Sequence, residues 1–414
     1  MSGFHRRGAC PGLLAPMATG DGLLMRIRPQ ERIALGALNA LCEAARWHGN
    51  GIIEITARGS IQVRGLGSKS APLFASAVAN LKIAETCSVA VIADPLRDDA
   101  DAVIDSAALA SNLRQAIGRA QLKLAPKVSI VVDGGDRLHL DALNADIRLR
   151  AVDTARGPRL HLALGGDARS ARALGLIRLG VVGDVVIRLL GVIAARGSTT
   201  RAADILRSDG VHAFCAAAAD HVEPAPAPPP RALAPAIGKH PVRGGRVALG
   251  VAPAFGQTDA GSLSELAGAA ADCGAQAASA APDRALLLSV LAEDKADVLA
   301  AVAERLGFIV RADDPRRRIV ACPGRPACAS GFIAARALAA EIAQNFSPVC
   351  DRTTVHISGC AKGCAHPMRA TLTVVGGERG CGIVYHGSAR GTPSRYVDPA
   401  DLVAEIMRAD AAIK

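Results

Sequence analysis

The sequence predicts an α+β protein built by internal duplication, with two ferredoxin-like halves and two larger mixed α/β domains. Three observations carry this prediction. The extended apolar run GLLMRIRP (22–29) is echoed by RVALGVAP (246–253), an offset of 224 residues from Pro29 to Pro253, and each run precedes a helical pattern. A second pair, LAPKVSIVVDGG (124–135) and TTVHISGCAKGC (353–364), is extended in the same way. Between the copies lies VEPAPAPPPRALAPAIGKHP (222–241), too rich in Pro and Ala to hold a helix or a sheet.

Taken in order, residues 1–75 form the first ferredoxin-like half: an extended run, a helix, and the strand-rich IEITARGSIQVRGL (53–66). Residues 76–221 form a larger α/β domain that has no cysteine at the turn matching 360–364. Its most apolar stretch, Leu174 to Ala195, is broken by Arg178, Asp184 and Arg188, which fits buried secondary structure and not a membrane span. After the linker at 222–241, residues 242–310 repeat the small half, with AAPDRALLLSVL (280–291) in place of 53–66. Residues 311–414 carry the cysteine-rich domain. At 414 residues, the chain has room for two or three domains.

Half of the residues are apolar and 21% are charged, as expected of a folded chain. Basic residues exceed acidic ones by 48 to 38, a net charge of +10. Such a balance suggests nucleic acid, yet aromatics are only 2% and offer few stacking platforms. The excess is scattered arginine, the residue suited to bidentate carboxylate recognition, so a polyanionic small molecule fits equally well. The N-terminal MSGFHRRGACPG has no apolar core of a secretion signal, and eleven cysteines, an odd number, point to a reducing cytoplasm.

Cysteines in such a compartment are read first for metal spacing. ACPGRPACASG (321–331) and HISGCAKGCAHP (356–367) place Cys322, Cys328, Cys360 and Cys364 as C-x5-C and C-x3-C, with 31 residues between the pairs. Four thiolates satisfy a 4Fe–4S cluster. The glycines at 324, 359 and 363 allow tight turns, and Pro323 and Pro326 stiffen the first loop. Structural zinc prefers shorter knuckles, and disulfides or inert buried thiols remain as alternatives. Cys10, Cys42, Cys87, Cys215, Cys273, Cys350 and Cys381 lack such partners and read as core or surface thiols.

These cysteine strings resemble the sirohaem-dependent nitrite and sulfite reductase superfamily. DPRRRIVACPGRPAC (314–328), VHISGCAKGCAHP (355–367), RRGACPGLLAPMATGDGLLMRIRP (6–29) and ITARGSIQVRGL (55–66) are most similar to its precorrin-3B synthase branch. The resemblance spans nearly the whole chain and is weakest from about 140 to 222. It implies a duplicated reductase-like architecture and an iron–sulfur monooxygenase that hydroxylates precorrin-3A at C20 with γ-lactone formation. It also implies a 4Fe–4S cluster, a mononuclear non-haem iron, dioxygen, and an external NADH-dependent electron donor. No dinucleotide-binding glycine motif is present for a donor site of its own.

Within the resemblance, Thr56, Arg58 and Gln62 match the superfamily's T-x-R…Q pattern, Lys127 its first Lys, and Pro282 with Arg284 its P-x-R. Arg58, Lys127 and Arg284 are therefore the candidate substrate-binding cations, gripping carboxylates through charge-assisted bonds. Ser129 stands where the reductases place a second Lys, and Val89 where they place an Arg. Losing two cations weakens a site for a small inorganic anion, because electrostatic stabilisation usually dominates such catalysis. No residue is assigned as the catalytic acid or base. His356 and His366 flank the cysteines, but no two-His-one-carboxylate spacing is visible and no iron ligands are named. A sirohaem nitrite or sulfite reductase, and a non-catalytic 4Fe–4S electron-transfer module, remain the alternatives.

Overall fold

The computed structural model describes residues 11–29, 31–83, 89–345 and 354–412; Cys10, Cys87 and Cys350 fall outside them. The described residues form four sheets in two matched pairs.

Two of the sheets are antiparallel and interlocked. In the first, the order is Met17–Thr19, Gly22–Ile27, Ile61–Leu66, Ile52–Ile55, then Gln257–Asp259. In the second it is Gly238–Val242, Arg246–Pro253, Ala285–Leu291, Ala277–Ala281, then Ile33–Ala34. Each sheet thus ends on a short strand donated by the other half of the sequence: Gln257 pairs with Glu54, and Ile33 with Ala278. The exchange gives the two halves one shared core. Leu38, Leu41 and Ile53 pack in the same cluster as Leu263, Leu286 and Leu299. Helices Leu35–His48 and Ala260–Asp272 cover it, the first through Leu35, Leu38, Leu41, Cys42 and Ala45 at helical spacing. The runs at 22–29 and 246–253 therefore belong to a single interlocked unit.

The other two sheets share another topology. One runs Ala90–Ala93, Ser129–Asp133, Ala145–Val152, Arg159–Gly166, Arg172–Ile177; the other Ile319–Ala321, Val355–Ser358, Ala370–Gly377, Gly380–Gly387, Arg395–Val397. In both, the first three strands are parallel and the rest antiparallel. The crossover helix Ser106–Ala120 is capped by Asp105, whose side chain accepts from the Ala107 and Ala108 amides at 3.0 Å. Leu174 to Ala195 resolves into the end of strand Arg172–Ile177 and helix Val182–Ala194.

The Pro/Ala-rich segment departs from its reading as linker in two respects. Its last residues enter strand Gly238–Val242, which tolerates Pro241 because it is an edge strand. Earlier parts are tied to the first large domain, since Arg231 bonds Asp141 at 2.7 Å and also reaches Asp133. Among the described residues no helix is long and apolar enough to cross a membrane.

Candidate functional site

Among the described residues, two cavities at the junction of the duplicated units hold most of the residues singled out in the sequence. The first gathers all four motif cysteines, with a volume of about 70 Å³. Parallel strands bring them there, because such strands present their carboxyl ends on one side. Cys322 directly follows strand Ile319–Ala321, and Cys360 lies two residues beyond the neighbouring Val355–Ser358. The Gly359 amide donates to Cys322 Sγ at 3.1 Å, and the Phe332 amide to the Gly359 carbonyl at 2.7 Å. The Ala329 amide bonds the Gly20 carbonyl at 2.9 Å, so the N-terminal segment closes one wall. Gly20 is required there: a Cβ would come within 2.4 Å of Cys328 Sγ.

The electrostatics suit an anionic sulfur site held by donors. Burial raises the Cys322 thiol, and the charges of Cys364 and Cys360 push it the same way, while the Gly359 and Gly324 amides pull it down. Arg64 also lines this cavity and is 4% exposed. Burial opposes its charge, but Glu54 and Asp21 outweigh that, and Cys364 adds to their effect. Its guanidinium bonds Asp21 at 2.7 and 2.9 Å and Glu54 at 3.2 Å. Four thiols on one cavity with amides aimed at sulfur fit an iron–sulfur cluster. Among the described residues no three His, Cys, Asp or Glu side chains converge as ligands of a single metal ion. A cluster in which each thiolate takes a different iron needs no such convergence; a mononuclear iron does, and no ligand set for one is assigned.

His356 is fully buried beside this loop, and neither ring nitrogen has a hydrogen-bond partner. Burial, with help from His366 and Arg284, lowers it to about 4, so it is neutral. His366 packs edge-on against it at 5.6 Å, and its Nε2 lies 3.3 Å from the Arg369 carbonyl oxygen. Of the remaining described cysteines, Cys42 and Cys381 are buried, Cys273 is half-buried and Cys215 is exposed.

The second cavity, about 390 Å³, is strongly basic. Arg58 and Lys127 both line it, joined by Arg26, Arg28, Arg97, Arg114 and Arg201. Arg58 is set on its wall by two bonds, from Nη1 to the Asn144 carbonyl at 2.8 Å and from Nη2 to Ser129 Oγ at 3.2 Å. Ser129 is fixed in turn, because its amide donates to Asp146 Oδ2 at 2.9 Å, and Asp146 also binds Arg201. The residue noted in the sequence as a missing cation is therefore the acceptor that orients Arg58. Val89 is buried in the core of the first large domain.

Arg284 does not share this cavity. Its loop adjoins that of Arg58, since Arg58 and Pro282 form a β-bridge and the Asp283 amide bonds the Ala57 carbonyl at 3.2 Å. The side chain instead donates to the carbonyl of Ala365, next to Cys364, at 3.0 Å. Burial lowers its pKa, with Glu54 and Asp283 opposing. The cations named from the sequence thus form two stations, Arg58 with Lys127 in the basic cavity and Arg284 at the cysteine loop. The other lining arginines come from distant segments, so no local run revealed them.

Comparison with known proteins bears on the family and the fold. A family model described as the nitrite/sulfite reductase ferredoxin-like half domain matches residues 15–80. The chain is 38% identical over 408 residues to a Sinorhizobium protein named precorrin-3B synthase, covering 97% of this chain and 88% of that protein. The solved structure of the NirA protein of Mycobacterium tuberculosis matches with a TM-score of 0.72 at 21% identity, over 93% of this chain and 80% of NirA. That likeness concerns the fold: the duplicated, reductase-like architecture is shared across nearly the full chain.

Proposed function

The chain belongs to the precorrin-3B synthase family of the nitrite/sulfite reductase superfamily, and on that premise we propose that it is an oxygen-dependent monooxygenase of aerobic cobalamin biosynthesis. Its substrate is precorrin-3A, hydroxylated at C20 with γ-lactone formation, using dioxygen and electrons from an external NADH-dependent donor. The observation that carries this reading is identity of 38% sustained over 97% of the chain.

Cys322, Cys328, Cys360 and Cys364 would hold a 4Fe–4S cluster, which when bound supplies one-electron transfer. The remaining work falls to the protein's own side chains. Arg58 and Lys127 bind carboxylates of the macrocycle in the basic cavity. Arg284, at the carbonyl beside Cys364, orients the edge of the substrate nearest the cysteines. Ser129 keeps the Arg58 guanidinium aimed along the wall.

The same contacts weigh against a sirohaem reductase. A lysine at 129 would set a second cation against the Arg58 guanidinium, where Ser129 accepts a hydrogen bond. The absorption spectrum of anaerobically purified protein tests this. It should show broad sulfur-to-iron absorption without sirohaem bands, and sirohaem bands would favour the reductase.

A further inference from the structure

Strand Ile61–Leu66 presents alternate residues to the two faces of its sheet. Ile61 and Val63 turn to the shared core, with Ile53 and Ile55 of the neighbouring strand. Gln62 and Arg64 fall on the other face, as does Glu54, the cross-strand partner of Gln62. Register extends this polar row on both sides, with Arg26 beside Gln62 and Gln257 beside Glu54. The row holds the Glu54 carboxylate from three directions. Its Oε1 accepts from Arg64 Nη1 at 3.2 Å and from the Gln257 side-chain amide. Its Oε2 accepts from the Gln62 side-chain amide at 2.7 Å, and the Gln62 oxygen in turn accepts from Arg26 Nε at 2.9 Å.

Asp21 meets the Arg64 guanidinium as well, at Nε and Nη2. The Thr19 hydroxyl pins Asp21 at 2.7 Å, within the turn whose Gly20 carbonyl receives the Ala329 amide. These three charged groups are ordered with respect to the cysteines. Among the described residues, Arg64 lines the cavity that holds all four thiols, and neither Asp21 nor Glu54 does. The positive member of the trio is thus on the cavity wall, with its two acids behind it. The Arg64 and Asp21 side chains are 5% and 1% exposed, so water screens little of this charge. Lys362 is the other cation on the lining, but it is exposed to solvent and bonds Ser330 Oγ at 2.5 Å.

We propose that Arg64 is a tuning residue for the iron–sulfur cluster: its fixed, buried positive charge raises the reduction potential and eases electron uptake from the external donor. The inference rests on the iron–sulfur reading above. One-electron reduction adds one negative charge at the cysteine site and makes or breaks no bond. A buried cation on the wall of that site stabilises the added charge, because the charge around a cluster is one of the terms that set its potential. Asp21 and Glu54 temper the effect and keep the guanidinium in place, since a charge buried without partners is costly. Glu54 cannot swing away from Arg64 while Gln62 and Gln257 hold both of its oxygens.

The test is a mediated redox titration of the whole, anaerobically purified protein, followed by visible and electron paramagnetic resonance spectra. Iron and sulfide per chain are measured for each variant, so that potentials are compared between loaded proteins. Arg64→Gln should shift the midpoint potential to a more negative value than wild type. Arg64→Lys keeps the charge without the fork, and should lie between the two. Glu54→Gln and Asp21→Asn each remove a negative charge behind the arginine, and should shift the potential to more positive values. Lys362→Gln should shift it less than Arg64→Gln, because an exposed charge is screened. A purely structural role would lower cluster content without this reversal of sign between the arginine and its acids. An Arg64→Gln potential at or above the wild-type value would overturn the proposal. So would a Glu54→Gln potential at or below it, and this variant decides even where Arg64→Gln loses its cluster. Wild-type protein without iron and sulfide would overturn the iron–sulfur reading itself, and this inference with it.

Discussion

Replacing Cys360 with serine should leave a protein that holds little iron or sulfide and is recovered in much lower soluble yield. Cys360 sits just beyond a central parallel strand, with its carbonyl held by Ser358 Oγ at 2.7 Å, in the loop that also supplies Gly359 to Cys322. Metal-binding energy becomes folding energy when the site does not exist in the unfolded chain. The loops at 322–331 and 359–364 meet through the Gly359 amide on Cys322 Sγ, the Lys362 ammonium on Ser330 Oγ and the close approach of Gly324, Gly331 and Gly359. Without the cluster, its thiolates would be left crowded and partly buried. Iron and acid-labile sulfide per chain, measured with the visible spectrum, check this. Full iron and sulfide content in the Cys360→Ser protein would show that the four cysteines are not the ligand set.

Arg58→Ala should weaken tetrapyrrole binding about tenfold to a hundredfold, because a hydrogen bond to a charged group is worth roughly 1.5–3 kcal/mol. The loss should leave the cluster spectrum unchanged, since Arg58 lines the basic cavity, where it bonds Asn144 and Ser129. Lys127→Ala should cost less, as a point charge without a fork to match a carboxylate. Arg284→Ala should differ in kind: its contact is the Ala365 carbonyl, so both binding and the cluster spectrum should respond. Added salt should weaken binding to the wild type, because Arg58 and Lys127 are exposed on the cavity wall and partly screened. Titrations of the wild type and three variants at two ionic strengths decide the matter. Unchanged affinity in all three, with clusters intact, would remove the case for these cations.

What could be read from the residues alone was whatever is encoded locally. The cysteine spacing is local, and the structure brings those four residues to one cavity. The echo between 22–29 and 246–253 is also local, and both runs form matching strands. Strand exchange was hidden, because Ile33–Ala34 and Gln257–Asp259 are too short to show a period of two and pair only in the folded chain. The strand at Gly238–Val242 was hidden by Pro241, whose missing amide matters little on a sheet edge. The basic cavity draws Arg26, Arg97, Arg114 and Arg201 from four separate segments.

The central claim, that the chain oxygenates a tetrapyrrole, is tested most directly by incubating the anaerobically purified protein with precorrin-3A, a reductant and isotopically labelled dioxygen, and weighing the product by mass spectrometry. The account predicts a product heavier by one oxygen atom, carrying the label from the gas. Unchanged precorrin-3A, from protein whose cluster is intact and which reduces sulfite or nitrite under the same reductant, would contradict it.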